Sequence, residues 1–295
     1  MTATQRAVST TSPAQRAPVG VDVGGTTTTA VRFEAGAHAV AAVAAAPTPQ
    51  GADAIVDIVG RLVADVADGA AAEPIGVGMP GRVDVTNGVV SLAVNLGITA
   101  PVEIAAMLAD RLGRAVHVEN DVNAAALGAF AHLRRPPSSS LAYVNVGTGI
   151  AAGYVLQGRL WRGASGGAGE IGHVPMRHGA PACHCGQDGC AEAIGSGRAA
   201  RGGPRAREDV LAATAWAVQL CAMALDVDVV VVGGGMTRPP DAFLRELQDV
   251  LSARAEASPM LAALALAHRV AVAPVDVPLG NLGAALAADR HQAVS

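Results

Sequence analysis

The feature that most constrains the fold of this chain is a pattern that occurs twice. Near the N-terminus, a short apolar run at 19–23 is followed by Gly24-Gly25 and by a second β-branched run at 26–33. The same order of strand, glycine turn and strand returns at 141–156, with Gly147-Thr148-Gly149 at the turn. Strands that are joined by short glycine turns commonly pair as hairpins. Helical and β periodicities alternate after each copy, so the sequence predicts two related α/β lobes with a cleft between them.

Hydrophobic periodicity assigns the elements that accompany each copy. The first half is predicted to contain strands at 37–46, 75–79 and 116–118 and helices at 52–66, 101–112 (with Pro101 at its first position) and 120–131. After a linker rich in proline and serine, the second half is predicted to contain helices at 209–225, 241–255 and 281–288 and strands at 227–232 and 270–275. The predicted divisions are a disordered tail at 1–18, an N-terminal lobe at 19–137 and a C-terminal lobe at 138–295, whose last helix can pack back on the N-terminal lobe.

Composition excludes several classes of partner. The chain of 295 residues has a net charge of −4, and its 21 basic residues are all arginine. This balance gives no electrostatic footprint for nucleic acid. No uninterrupted apolar stretch of about 18 residues occurs, so we expect no membrane span. Aromatic residues make up only 2% of the chain, so the core must be built from Ala, Val, Leu and Ile.

Three of the four cysteines lie within eight residues, and a histidine precedes them. Cys183, Cys185 and Cys190 with His173 provide three thiolates and one imidazole, which is the ligand set of a closed tetrahedral zinc site. A disulfide or a loop without a metal is the alternative. His184 is the rival fourth ligand, although adjacent side chains generally diverge. A cluster of metal-binding thiols also indicates a reducing compartment, so we expect a cytoplasmic protein.

Two glycine turns at strand ends fit a use in phosphate binding. Glycines allow backbone N–H groups to converge on phosphate oxygens, and threonine hydroxyls add donors. The residues concerned are Asp22, Gly24, Gly25, Thr26 and Thr27 in the first copy, and Gly147, Thr148 and Gly149 in the second. Asp22, at the end of a strand, can face Mg²⁺ through water. Each turn taken alone is more simply a hairpin turn, but the repetition of the two turns at matching places favours the phosphate interpretation.

A polar segment, Glu119-Asn120-Asp121-Val-Asn123, separates an apolar strand from an alanine-rich helix. Asn and Asp are good helix caps, so capping is the first interpretation. The alternative places Asp121 in the cleft, where its carboxylate accepts the proton of a hydroxyl that attacks a phosphoryl group. The residue types alone leave both interpretations open.

The metal loop resembles the signature of a known family. Its pattern Cys183-x-Cys185-Gly-x-x-Gly-Cys190-x-Glu192 is similar to that of the ROK family, named for repressors, open reading frames and kinases, whose enzymes phosphorylate sugars. Glu119-Asn-Asp121-x-Asn-Ala and Gly169-Glu170-x-Gly-His173 resemble further motifs of this family. The resemblance implies an α/β, two-lobed actin-like (ribonuclease H-like) sugar kinase fold with its site in the interlobe cleft.

The same resemblance implies roles for individual residues. Asp121 matches the catalytic base, and the turn of Gly233, Gly234 and Gly235, otherwise simple strand punctuation, would approach the adenosine of ATP. The hexose would contact one glycine and several polar residues, namely Gly81, Asn95, Asn120, Asp121, Glu170, His173 and Glu192. His173 would join the metal to the sugar, so that Zn²⁺ is structural, while ATP enters with a catalytic Mg²⁺.

The implied activity is the ATP-dependent phosphorylation of a hexose at its 6-hydroxyl by a homodimer, with glucose as the leading substrate. Kinases for 3-amino-3-deoxyglucose (kanosamine), N-acetylmannosamine or fructose are alternatives, and a non-catalytic sugar sensor is the alternative from another class. No DNA-binding module precedes Val19, so we do not expect a repressor. The interval from Glu192 to Gly233 is shorter than the resemblance leads us to expect, and this departure affects the nucleotide side.

Overall fold

The computed structural model describes residues 18–34, 38–67, 74–179, 181–202 and 205–292. All but the last residue of the tail predicted at 1–18 lie outside this part of the chain. The strands are β1 (Val19–Val23), β2 (Thr27–Phe33), β3 (Val40–Pro47), β4 (Ile75–Met79), β5 (Arg82–Asp84), β6 (Val89–Ser91), β7 (Val116–Asn120), β8 (Leu141–Val146), β9 (Ile150–Leu156), β10 (Arg159–Trp161), β11 (Val229–Gly233) and β12 (Val270–Val272). The helices are α1 (Ala52–Val66), α2 (Ile104–Leu112), α3 (Asp121–His132), α4 (Ala191–Gly195), α5 (Ala206–Leu225), α6 (Pro240–Glu256), α7 (Pro259–Leu264), α8 (Leu266–Arg269) and α9 (Leu279–Gln292).

The internal repeat of the sequence becomes two five-stranded sheets with the same order. The first sheet runs β3-β2-β1-β4-β7, and the second runs β10-β9-β8-β11-β12. In each sheet the first three strands pair antiparallel and the last two join in parallel. The prediction of two related α/β lobes is therefore confirmed, and the short hairpin of β5 and β6 is an addition to the first one.

Small apolar side chains fill the core under each sheet, as the low aromatic content requires. In the first half, α1 turns Ile55, Val59 and Leu62 inward at helical spacing. The central strand β1 contacts both α1 and α9, and this cover explains why its apolar residues are fully buried. The core of the second half joins residues of β8, β9 and β11 with those of α5 and α6.

The last helix connects the C-terminus of the chain to the first sheet. The Asn281 side chain in α9 donates hydrogen bonds to the backbone oxygens of Gly20 (3.1 Å) and Thr29 (2.9 Å). α9 also packs closely against α3, where a Cβ at Gly283 would lie 1.6 Å from the carbonyl oxygen of Ala124. Only glycine permits this approach of the two backbones.

Helix α5 has the length and apolar composition that a membrane-crossing helix needs, but half of that stretch is buried within the protein. Val210, Val218 and Cys221 belong to the core of the second sheet. Packing in this core accounts for its apolar composition.

Several predicted boundaries shift, for identifiable reasons. The helix predicted from Pro101 begins at Ile104, because Val102 exchanges backbone hydrogen bonds with Val90 and extends the β5–β6 hairpin instead. The strand predicted at 37–46 is β3, at Val40–Pro47, and residue 37 lies outside the described part. The strand predicted at 270–275 ends at Val272, just before Pro274, which has no N–H to donate. Residues 52–66, 75–79, 141–146 and 150–156 form the elements predicted for them.

Candidate active site

The carboxyl ends of the parallel strands meet in a cleft between the two sheets. In the first sheet, Asp22 of β1 pairs with Gly78 of β4, which pairs in turn with Glu119 of β7. In the second sheet, Asn145 of β8 pairs with Gly233 of β11. A cavity of about 310 Å³ is lined from both sides, and its lining includes Asp22, Asp121, Tyr143, Asn145, Gly233, Gly234, Gly235, Arg238, Pro274 and Val275. Ligands commonly bind at such strand ends in open α/β sheets.

Asn120 and Asp121 form the junction of β7 and α3. The Asn120 side-chain oxygen accepts hydrogen bonds from the N–H groups of Val122 and Asn123, both at 3.0 Å, so Asn120 caps the helix. Its amide nitrogen donates to the backbone oxygen of Gly81 at 3.1 Å. Capping thus fixes the start of the helix, while the next residue, Asp121, lines the cleft. The two interpretations of this segment are compatible.

The two carboxyl groups in the cleft hold protons more tightly than exposed aspartates do. Burial, aided by the charge of Asp121, raises the pKa of Asp22 to about 7. Burial also raises the pKa of Asp121 to about 6, with Glu170 adding a like charge. Burial and both aspartates raise the pKa of Tyr143, which therefore stays a neutral phenol. A cation between the aspartates would relieve this crowding of negative charge.

The structure brings the four predicted metal ligands together. His173 Nδ1 lies 3.6 Å from Cys183 Sγ, and Cys185 Sγ lies 3.6 Å from Cys190 Sγ. The donor atoms of all four residues lie within 4.8 Å of one another. All four cysteines of the chain are free, so the disulfide alternative is not realised. Three sulfurs and one nitrogen at this spacing fit a closed zinc site.

The thiols of this group differ in how readily they ionise. A hydrogen bond from the Gln187 backbone N–H lowers the pKa of Cys185 to about 6, so this thiol is mostly thiolate at neutral pH. Burial raises the pKa of Cys190 to about 12. Binding of a metal would therefore release a proton from Cys190, since thiolates are the ligands.

His184 lies between Cys183 and Glu192, and its ring nitrogen is closer to the carboxylate. Its Nδ1 lies 3.4 Å from Glu192 Oε1 and 3.9 Å from Cys183 Sγ. His173, His184 and Glu192 form a second group with donor atoms within 4.8 Å, so His173 belongs to both the thiol group and the carboxylate group. Glu192 also accepts the Ile150 N–H at 2.9 Å. A Cβ at Gly149 would lie 2.3 Å from Glu192 Oε2, so a larger residue there would displace the Glu192 carboxylate.

The remaining predicted residues lie around the cleft at different depths. Asn95 is exposed, and its side-chain oxygen accepts a hydrogen bond from Arg198 (3.3 Å). The Arg198 backbone N–H in turn donates to Thr148 (3.4 Å). Of the three predicted glycine turns, all within the described residues, the turn of Gly233–Gly235 lines the 310 Å³ cavity. The other two do not line it, namely Gly24, Gly25, Thr26 and Thr27, and Gly147, Thr148 and Gly149. The first turn closes on itself through Gly24 N–H to Thr27 O at 3.0 Å and is tied to the end of β3 by Thr48.

Sequence reasoning missed several residues of the cleft. Asn145 occupies the penultimate position of β8, as Asp22 does in β1, so comparison of the two sequence repeats was the signal that could have found it. Arg238, Pro274 and Val275 follow strands of the second sheet without any local motif. Their position in the cleft depends on how β11 and β12 end.

The sequence and fold agree with one family of known proteins. The profile of the ROK family matches residues 18–212, about two thirds of the chain. The chain belongs to the ROK family. A glucokinase of Thermotoga maritima is 33% identical over 184 residues, which are 62% of this chain and 58% of that protein. An N-acetylmannosamine kinase of Vibrio cholerae is 30% identical over 183 residues, 54% of this chain and 63% of that protein. The alignments thus span about three fifths of these ROK relatives.

Solved ROK structures match the whole fold. A ROK hexokinase from Thermus thermophilus aligns with a TM-score of 0.74 and 29% identity over 94% of this chain and 99% of that one. A ROK glucokinase from Streptomyces griseus, in complex with glucose and AMPPNP, aligns with a TM-score of 0.74 and 24% identity over 93% and 99% of the two chains. The predicted family and the two-lobed actin-like fold of ROK hexokinases are both confirmed.

Proposed function

We propose that this protein transfers the γ-phosphoryl group of ATP to a hydroxyl of a hexose, with Asp121 as the general base. The observation that carries the proposal is the place of Asp121, which begins α3 inside the cleft that Gly233–Gly235 line from the other sheet. Its pKa of about 6 leaves it ionised at neutral pH yet close enough to that pH to take up a proton.

Beside the start of α3, polar groups from both halves converge that suit a sugar. Asn120 contacts Gly81, and the negative charge of Glu170 is near enough to raise the pKa of Asp121. We assign the sugar hydroxyls to Asn95, Asn120, Asp121, Glu170, His173 and Glu192, with Gly81 at the turn beside them. Carboxylates and amides of this kind provide the acceptors and donors that polyols require.

The cluster of His173, Cys183, Cys185 and Cys190 would support the proposed sugar pocket. Zn²⁺ held by His173, Cys183, Cys185 and Cys190 would fix the loop from which His173 and Glu192 project. The role is structural, because four protein ligands leave no open position. His173, shared between the thiols and Glu192, links the metal loop to the sugar side.

On the second-sheet side, the cleft suits a nucleotide. Pro274 and Val275 offer an apolar wall, and Gly233–Gly235 leave room beside it. We assign the adenosine to this wall and the phosphates to the turns at 24–27 and 147–149, with Arg238 as a cation that lines the cleft. Mg²⁺ bound with ATP would neutralise phosphate charge, and Asp22 is the carboxylate placed to face it.

The proposed reaction follows from these positions. Asp121 accepts the proton of the sugar hydroxyl while that oxygen attacks the γ-phosphorus, and ADP leaves on the opposite side. Phosphoryl transfer depends mostly on positioning and charge stabilisation. Residues of both halves contact each proposed reactant, so closer approach of the two halves would align the reactants and exclude water.

Glucose is the leading substrate and its 6-hydroxyl the proposed acceptor. The support comes from the glucokinase of Thermotoga maritima and from the Streptomyces griseus glucokinase that binds glucose and AMPPNP. N-acetylmannosamine, kanosamine and fructose are the competing substrates, the first because of the Vibrio cholerae relative. The homodimer stays a prediction.

The test is a panel of hexoses with Mg·ATP and purified protein, read as sugar-dependent ADP release. We expect release with one sugar above all and its loss in Asp121→Asn. The matched control is Asp226→Asn, which changes an exposed carboxylate outside the cleft. Sugar binding without any ADP release would contradict the kinase proposal and favour the sugar sensor.

A further inference from the structure

A buried ion pair joins the two halves of the protein beside the proposed base. Glu119, in β7 of the first sheet, has a side chain that is only 1% exposed. Arg162, which directly follows β10 of the second sheet, donates to Glu119 Oε2 through Nε at 2.9 Å and also through Nη2. A buried carboxylate is costly unless it is paired and hydrogen-bonded, so this contact determines how the two halves meet here.

The other oxygen of Glu119 holds the start of α3. Oε1 accepts the backbone N–H of Asn120 at 3.0 Å and the side-chain amide of Asn123 at 3.3 Å. These two residues flank Asp121. One carboxylate therefore contacts the second sheet with one oxygen and the first turn of α3 with the other.

The charge state of Glu119 suits this role. Burial alone would raise the pKa of Glu119, but the nearby His117 ring and the hydrogen bonds and charge of Arg162 bring the pKa below its ordinary value. Glu119 is therefore a carboxylate at neutral pH. His117 Nε2 lies 3.9 Å from the oxygen that Arg162 contacts.

Apart from the Asn281 contacts of α9, two further side-chain hydrogen bonds join described residues of the two halves, and both are exposed. Arg82 donates to the backbone oxygen of Ser165 at 3.2 Å, and Arg198 donates to Asn95 at 3.3 Å. Neither contact pairs two charges, and both compete with hydrogen bonds to water. The Glu119–Arg162 pair differs because its carboxylate is shielded from water and lies next to Asn120 and Asp121 in the chain.

We infer that Arg162 and Glu119 form a positioning pair. The pair sets the orientation of Asn120 and Asp121 and makes that orientation depend on how closely the second sheet approaches the first. The inference rests on the proposed function, because it assumes that Asp121 is the base. Neither residue of the pair needs to touch the sugar. Without Arg162 the Glu119 charge would be unpaired, the first turn of α3 would loosen, and the base would shift from its attack position.

The test compares Arg162→Met, Arg162→Lys and the control Arg269→Met. Arg269 is matched to Arg162, since its side chain is 30% exposed against 31% and it too pairs with a carboxylate, Asp226, but within the second half. We expect Arg162→Met to lower kcat by about 100-fold, as small misplacements of reacting groups do, with little change in KM for Mg·ATP. Arg162→Lys should restore most of the lost rate, and Arg269→Met should retain it.

A second measurement does not depend on turnover. Hydrogen exchange of the backbone amides at 119–125 should speed up in Arg162→Met and stay unchanged in Arg269→Met. An inactive wild-type protein would refute the kinase proposal, and the exchange data would still decide whether the pair positions α3. Wild-type kcat in Arg162→Met, or equal exchange in both variants, would overturn the positioning role.

Discussion

The last strands of the two sheets, β7 and β12, hold equivalent positions, but polar residues follow the one and apolar residues the other. In the first sheet, β7 ends in Glu119 and Asn120, and α3 begins at Asp121. In the second, β12 is followed by Ala273, Pro274 and Val275 before α9 begins. Both ends line one cleft. A duplicated scaffold thus presents carboxyl and amide groups from one copy and an apolar wall from the other, which suits the proposed transfer between a polar sugar and a purine nucleotide.

The central strands show the same contrast at a finer scale. Asp22 and Asn145 hold equivalent positions in β1 and β8, and both line the cleft. Asp121 already raises the cost of ionising Asp22, since the charge of Asp121 contributes to the raised pKa of Asp22. A third carboxylate at 145 would add to this repulsion, whereas an amide can hydrogen-bond without charge. Only one copy of the repeat therefore carries the acidic residue.

The largest expected effect on kcat comes from removing the Asp121 carboxylate, which follows the first sheet and has no counterpart after the last strand of the second. Asp121→Asn should lower kcat by about 1,000-fold, because a positioned base contributes roughly 100- to 10,000-fold. The KM values for sugar and ATP should change little, since the amide keeps the shape of the side chain. Steady-state ADP release measures both, and a loss below tenfold would show that Asp121 is not the base.

The next effect concerns the metal loop, which only the second half contains, between β10 and α4. Cys185→Ser should lower zinc affinity by more than about 100-fold, since even outer-shell changes cost about 10- to 100-fold. Elemental analysis of the purified protein should fall from about one zinc per chain to nearly none, with a higher KM for the sugar.

The matched control for this variant is Cys221→Ser, because Cys221 is buried in α5, away from the loop, beside Tyr154. Its zinc content should equal that of the wild type. Equal metal in Cys185→Ser and the wild type would remove Cys185 from the ligand set.

A smaller effect is expected from giving the apolar strand end a charge. Val275 is 61% exposed, so Val275→Asp should fold normally. A carboxylate there would repel the phosphates and weaken purine packing, so we expect KM for ATP to rise about tenfold, or about 1.4 kcal/mol. Val275→Ala separates the loss of packing from the charge. A change in the sugar KM instead would place the nucleotide elsewhere.

The smallest effect is on stability. The pKa of Asp121 is raised from 3.8 to about 6 in the folded protein, so the folded state binds more protons and loses stability as pH rises through this window. Asp121→Asn removes that cost and should stabilise the protein by about 3 kcal/mol at pH 8, but by well under about 1 kcal/mol near pH 4. Denaturant unfolding at both pH values measures the difference. Equal gains at the two values would mean that ionisation of Asp121 is not the cause.

Local signals predicted much of the fold and part of the site. Strand β4 and helix α1 have the predicted bounds because their periodicity and flanking residues agree. The four predicted metal ligands are close in sequence, so a short loop brings them together once it turns at Gly186 and Gly189, both of positive φ. Helix α2 begins later than predicted, and the β5–β6 hairpin was not predicted. Both differences involve the pairing of Val102 with Val90, a contact that local propensity does not reveal.

The sequence by itself determined the two-copy α/β plan, the ligand group of the metal loop and the Asn-Asp start of α3, because each depends on residues that are neighbours in the chain. Only the tertiary structure decided that Asp121 faces Gly233–Gly235, that Pro274 and Val275 complete the cleft and that Arg162 pairs with Glu119. These residues are far apart in sequence, and the packing of the two sheets, fixed by burial of their separate cores, brings them together. Burial in that cleft is also what shifts the pKa values of Asp22 and Asp121.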